Sequence, residues 1–145
     1  MKIYTIGFTQ KSAQQFFEIL SKHNVQCLVD IRLHPYGQLA GFTKKDDLRF
    51  FLDRLIGCDY RHLPRLAPED EFLKAYRSDH DWAKYEKAFT ALMDARGIPE
   101  TLDKILFEEK TCCMLCSEPT PEKCHRRLVA DRLARFWNNV EIIHL

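Results

Sequence analysis

The chain has 145 residues, enough for one domain that buries about two thirds of its unfolded surface. Apolar residues make up 46% and charged residues 30%, a balance that excludes a disordered or fibrous chain. Lys and Arg number 22 against 21 Asp and Glu, so the formal charge of +1 excludes a global field that draws in nucleic acid or a membrane surface, although a local basic face stays open.

The opening, Met1 to Phe8, carries one lysine and an apolar run too short for a signal-peptide core or a membrane span, and no later segment approaches membrane length. The expectation is an intracellular, cytoplasmic protein with no membrane partner. Its six cysteines then read as reduced thiols, ligands or catalytic groups rather than a disulfide framework. Ile3 to Phe8 reads as a buried first strand closed by Gly7. Ser12 is placed as a helix N-cap, with Gln15 set for a capping box. Ala13, Phe16, Phe17 and Leu20 follow helical spacing and predict a face packed on a sheet. Val25 to Ile31 is apolar enough for a second strand covered on both sides, as parallel strands are.

The loop from Leu33 to Thr43 is too irregular for a regular element. Leu48, Phe51, Leu52, Leu55 and Ile56 mark a second helix stopped by Gly57, and Cys58 to Leu63 a third strand. After the proline-broken stretch from Pro64 to Asp70 come a short helix around Phe72 to Tyr76 and a longer one carrying Trp82, Tyr85, Phe89, Leu92 and Met93. A further helical piece begins at Pro99. Thr111 to Cys116 reads as a fourth strand, and Thr120-Pro121 as a helix start with proline in the first turn. Leu128, Val129, Leu133 and Phe136 give that last helix its buried stripe, and Val140 to Leu145 closes the chain as a fifth strand. Strands alternating with helices predict a single three-layer α/β domain over residues 1–145, with a mainly parallel central sheet and helices on both faces. Right-handed crossovers then put successive strand-to-helix loops on one edge.

The span from Cys112 to Arg127 holds four of the six cysteines, a histidine and two arginines. A strand-to-helix turn at the mouth of an α/β sheet is where anions bind and thiolates become reactive. Cys113 and Cys116 have zinc-like spacing, but residues three apart on a strand point to opposite faces and cannot share a metal unless the strand breaks there. Cys112 and Cys113 therefore read as small core hydrophobes, while Cys116 faces the loop. Cys124 lies about one turn into the predicted last helix. Its N–H groups, with His125, Arg126 and Arg127, favour a thiolate at Cys124. Cys116 and Cys124 flank one loop and read equally as a redox pair, a nucleophile with its helper, or two ligands of a soft metal. A purely structural Cys124 beside a loop-tethering Arg126 also fits.

Asp30 and Arg32 share a face at the end of the second strand, as ligand-binding groups or as a structural ion pair. The loops of His34 and His62 are expected at the same edge. Lys123, Arg126, Arg127, Arg132 and Arg135 give the last helix a basic side, either solvated or in contact with phosphates. Trp82 and Tyr85 fit core spacing better than a base-stacking platform. Glu122 stands where a phosphatase-type loop needs arginine, and no Walker, dinucleotide or zinc-helix motif is present.

Thr5-Ile6-Gly7-Phe8, Asp30-Ile31-Arg32 with Pro35 after it, and Leu115-Cys116-Ser117-Glu118 followed by Cys124-His125-Arg126 resemble domain-of-unknown-function family 488 over nearly the whole chain. The resemblance implies the α/β fold and the cysteine–glutamate and cysteine–histidine–arginine site, and carries no activity. Two departures bear on the substrate end. Tyr36-Gly37 stands where members of that family usually have serine–arginine, and Leu66-Ala67-Pro68 where they usually have leucine–glycine–glycine.

The resulting reading is a small enzyme, a thiol-dependent hydrolase or transferase, acting on an anionic or phosphate-bearing small molecule or a nucleotide. Cys116, Cys124, His125 and Glu118 would supply the chemistry, and Gly7, Asp30, Arg32, His34 and Arg126 would hold the substrate. No cofactor is specified and no metal ligand assigned. The competing readings are a non-catalytic anion or nucleic-acid binding module, and a zinc-stabilised interaction domain using Cys116, Cys124, His125 and His34.

Overall fold

A computed structural model describes residues 1–37 and 40–145. Five strands, β1 (Lys2–Gly7), β2 (Cys27–Asp30), β3 (Asp59–His62), β4 (Cys112–Cys116) and β5 (Glu141–His144), form one sheet in the order β3-β2-β4-β1-β5. Every neighbouring pair is parallel. The helices are α1 (Ala13–Lys22), α2 (Lys45–Phe51), α3 (Asp70–Asp79), α4 (Trp82–Ala95), α5 (Lys104–Glu109) and α6 (His125–Phe136).

Alternation along the strands divides the core in two. Tyr4, Ile6, Leu28, Cys113 and Leu115 pack against Phe16, Phe17 and Leu20 of α1 and Leu48 of α2. Ile3, Cys27, Val29, Cys112 and Met114 pack against Tyr85, Phe89 and Met93 of α4, Phe107 of α5, and Val129 and Leu133 of α6. β4 is buried along its whole length, which its apolar composition requires at the centre of a doubly covered sheet. Cys112 and Cys113 are core residues on opposite faces, as alternation predicts.

The connections determine where a site can open. The chain steps from β1 through α1 to β2 and through α2 to β3, with both helices on one face. It returns through α3, α4 and α5 on the other face to β4, then passes through α6 to β5. β4 therefore sends its helix to the face opposite those used by its neighbours β1 and β2. Reversal of this kind opens a crevice at the carboxyl ends of the strands.

Local expectations hold where the signal is local. Ser12 accepts from the Gln15 N–H at 3.1 Å, and the Gln15 side chain accepts from the Ser12 N–H at 2.9 Å, completing the capping box. Gly57 adopts φ 60°, a left-handed conformation that favours glycine, after a wider helical turn at Leu52–Ile56 that extends α2.

Four expectations need correction. The last helix begins at His125 rather than at Thr120-Pro121. Pro121 instead opens a turn whose carbonyl accepts from the Cys124 N–H at 3.2 Å. Pro99 belongs to a turn in which the Leu102 N–H donates to its carbonyl, and α5 starts only at Lys104. Phe136 is 49% exposed, with the guanidinium groups of Arg132 and Arg135 over its ring, and Trp137 enters the core in its place. In the loop expected to lack regular structure, Gly41–Thr43 makes one 3₁₀ turn, while positions 38 and 39 of that loop lie outside the described residues. Among the described residues, no helix is long and apolar enough to cross a membrane.

Candidate functional site

β2 ends on a buried ion pair. Arg32 Nε donates to Asp30 Oδ1 at 2.9 Å and Nη2 to Oδ2 at 2.7 Å, a bidentate fork, while Nη2 also reaches the Thr43 carbonyl at 2.7 Å. The Tyr60 hydroxyl donates to Asp30 Oδ2 at 2.6 Å, and His62 Nε2 bonds the Arg32 carbonyl at 2.9 Å. Asp30 is fully buried and Arg32 is 3% exposed. The carboxylate is thus committed to aiming the guanidinium. Arg32 Nη1 is buried with no hydrogen-bond partner among the described residues.

At the end of β4, Cys116 Sγ lies 3.4 Å from His125 Nδ1. His125 Nε2 lies 2.8 Å from the Ile31 carbonyl. A carbonyl only accepts, which assigns the Nε2 proton and leaves the Nδ1 lone pair of the neutral ring facing the sulfur. Cys124 completes a cluster whose three ligand atoms all lie within 4.8 Å of one another.

Hydrogen bonding from Cys124 holds the Cys116 thiol below its ordinary value, helped by the Ser117 and Glu118 N–H groups and by the Arg126 charge against the opposing effect of burial. The same pairing, together with burial, pushes Cys124 well up. The thiolate expected at Cys124 is therefore favoured at Cys116 instead. Cys124 is the N-cap of α6 rather than a residue one turn in, and its side chain makes no capping hydrogen bond. The backbone donors converge on Cys116.

Arg126 is fully buried behind the loop. Nη1 donates to the Glu118 carbonyl and lies 3.7 Å from Cys124 Sγ, and Nη2 reaches the Pro119 carbonyl at 3.5 Å. Gly7 makes this approach possible, since a Cβ there would meet the Glu118 carbonyl oxygen at 1.7 Å. Arg126 is thus a brace between the end of β1 and the loop after β4. Arg126→Lys is expected to lower stability by about 2 kcal/mol, because one ammonium cannot reproduce hydrogen bonds from a charged fork to separate acceptors. Thermal unfolding checks this, and an unchanged midpoint would remove the bracing role.

These elements border a cleft of about 420 Å³ whose wall includes Arg32, His34, Cys116, Glu118, Cys124 and His125. Asp30, Gly7 and Arg126 lie behind that wall and act through the groups they hold. Glu118 is exposed at the rim. His34 is exposed, with Nε2 2.8 Å from Asp70 Oδ1 at the start of α3. Sequence reasoning missed part of the lining: Tyr76 and Arg77 of α3 and Trp82 and Tyr85 of α4 also border the cleft. Trp82 and Tyr85 stack with centroids 5.0 Å apart, so they pack as helical spacing predicts and still face the cleft. Lys123 adds a further cation from the β4–α6 loop. On α6, Arg127 pairs with Glu86 and Asp131, and Arg132 with Asp94.

The family model described as Domain of unknown function DUF488 matches residues 12–133. The chain belongs to this family. The matched span contains every site residue named above except Gly7, which precedes it. No curated protein and no solved structure matches the chain. Gly37 and Pro68, one from each of the two segments set apart by the resemblance, both line the cleft. The segments Cys116–Glu118 and Cys124–Arg126 are the two ends of the loop that Arg126 braces.

Proposed function

We propose that this DUF488 protein is a thiol-dependent hydrolase or transferase that acts on an anionic, phosphate-bearing small molecule or nucleotide. The observation that carries this reading is the cleft that Arg32 shares with the Cys116–His125 pair, Arg32 keeping a buried Nη1 with no hydrogen-bond partner among the described residues. A guanidinium whose Nε and Nη2 are locked by a carboxylate and which lies over the Phe8 ring is held in one orientation, and its Nη1 is the donor left for a phosphate oxygen. Lys123 and the start of α6 add positive potential at the same mouth.

In the first step the Cys116 thiol proton passes to His125 Nδ1 as Sγ bonds to phosphorus. The leaving group departs with that proton. Water or a second acceptor then attacks phosphorus, gives its proton to His125, and releases Cys116, which recovers it. The Ile31 carbonyl stabilises the transient imidazolium through Nε2–H. Asp30 positions Arg32, Arg126 positions the loop, and Glu118 and His34 act from the cleft wall. Free-thiol chemistry fits a reducing, cytoplasmic setting.

Iodoacetamide is expected to label Cys116 ahead of the core thiols Cys27, Cys112 and Cys113, and inorganic phosphate is expected to protect it. Burial holds Cys58, outside this cleft, at about 12, so it should remain slow. Peptide mapping of labelled protein reads both effects. Labelling of Cys116 no faster than Cys112 would overturn the nucleophile. Phosphate protection without turnover of any phosphate ester would make the cleft a non-catalytic anion-binding site.

A further inference from the structure

Three soft or borderline donors meeting in a buried cluster offer more than an activated thiol. A tetrahedral zinc ion with Zn–S near 2.3 Å and Zn–N near 2.0 Å sets its sulfur and nitrogen ligands roughly 3.6 Å apart. Cys116 Sγ and His125 Nδ1 are 3.4 Å apart, and Cys124 Sγ lies within 4.8 Å of both. The Nε2 bond to the Ile31 carbonyl is the outer contact that ligating histidines usually make, and it presents Nδ1 as the donor. Two thiolates balance a divalent charge, and the Arg126 N–H near Cys124 Sγ is a second-layer donor to one of them. The donor set selects zinc-like ions over magnesium or calcium, which take oxygen ligands.

We propose that Cys116, Cys124 and His125 form a three-ligand site for a thiophilic divalent cation, zinc by its chemistry, with the fourth coordination position open to the cleft. Binding releases the two thiol protons to solvent, and His125 contributes its Nδ1 lone pair. The ion uses the same sulfur and nitrogen that thiol chemistry needs, so the metal-bound and thiol-reactive forms exclude one another. This inference goes beyond the thiol reading and does not depend on it. The zinc spacing of Cys113 and Cys116 plays no part, because Cys113 lies in the core of the opposite face.

The full-length chain, freed of metal by chelation, is titrated with cobalt as a spectroscopic probe. The expected result is one equivalent bound, with thiolate-to-cobalt charge transfer and the intense visible bands of a tetrahedral centre, all lost on adding zinc but not magnesium. Zinc should also protect Cys116 from iodoacetamide. Cys124→Ala and His125→Ala should each lose the charge-transfer or tetrahedral signal, while Cys113→Ala should keep both. An octahedral spectrum, no displacement by zinc, or an unchanged spectrum in folded Cys124→Ala would overturn the site. If either ligand variant fails to fold, wild-type displacement and protection still decide. Rapid labelling of the metal-free protein with no cobalt signal removes only the metal site. A cobalt signal with inert Cys116 in the metal-free protein removes only the thiol enzyme.

Discussion

Asp30→Ala is expected to lower the unfolding free energy by about 3–5 kcal/mol, the range for removing one partner of a buried ion pair. Arg32, 3% exposed, would keep its charge and lose the acceptors of Nε and of one Nη2 bond, leaving the Thr43 carbonyl. The Tyr60 hydroxyl would also lose its acceptor. The cost is the stranded charge rather than a missing contact, which Asp30→Ala combined with Arg32→Met tests directly. Removing both charges is expected to recover most of the lost stability, since apolar replacement of a buried pair is often neutral. Phosphate protection of Cys116 should nevertheless stay lost in the double variant. Urea unfolding near neutral pH reads the stability changes. A single variant within about 0.5 kcal/mol of the parent would mean that the pair is not a structural anchor.

The second large effect is at Gly7. In Gly7→Ala the new Cβ would lie 1.7 Å from the Glu118 carbonyl oxygen and 2.7 Å from Arg126 Nη1. The carbonyl is backbone, and the guanidinium is buried and bonded to it, so neither can give way cheaply. The loop between Cys116 and Cys124 must lift, at a cost of about 3 kcal/mol from overpacking. Further loss follows if the Arg126 charge is uncovered. The distinguishing readout is local: Cys116 labelling should slow, because Ser117 and Glu118 carry the N–H groups that favour its thiolate. Gly41→Ala is the control, since a Cβ there meets nothing within 4 Å and should leave both stability and labelling near those of the parent. Equal behaviour of the two variants would dissolve the link between Gly7 and the loop.

Local signals were legible where the physics is local. Ser12 and Gln15 satisfy each other's backbone donors within one turn, so the start of α1 needed no tertiary knowledge. The apolar run ending at Cys116 and the spacing of Phe16, Phe17 and Leu20 revealed a buried strand and a one-sided helix for the same reason. The start of α6 was misplaced because Thr120-Pro121 is a sound helix opening in isolation. In the fold, the carbonyls of Glu118 and Pro119 are bonded to a guanidinium from farther along the chain, and helix geometry begins only at His125.

Composition and periodicity by themselves determined the α/β class, the alternation of elements, the core faces of Cys112 and Cys113, and the loop at which Cys116 and Cys124 stand. Only the tertiary structure decided that β4 lies between β1 and β2, which brings Arg32, Cys116 and His125, expected at one edge of the sheet, into one cleft. It also decided that Asp30 is committed to Arg32, that Arg126 holds carbonyls, and that Trp82 and Arg77 line the cleft. The division follows the reach of the forces. Helix and strand preferences are set by neighbours a few residues apart, whereas a buried charge takes its partner from whatever the chain crossing brings beside it.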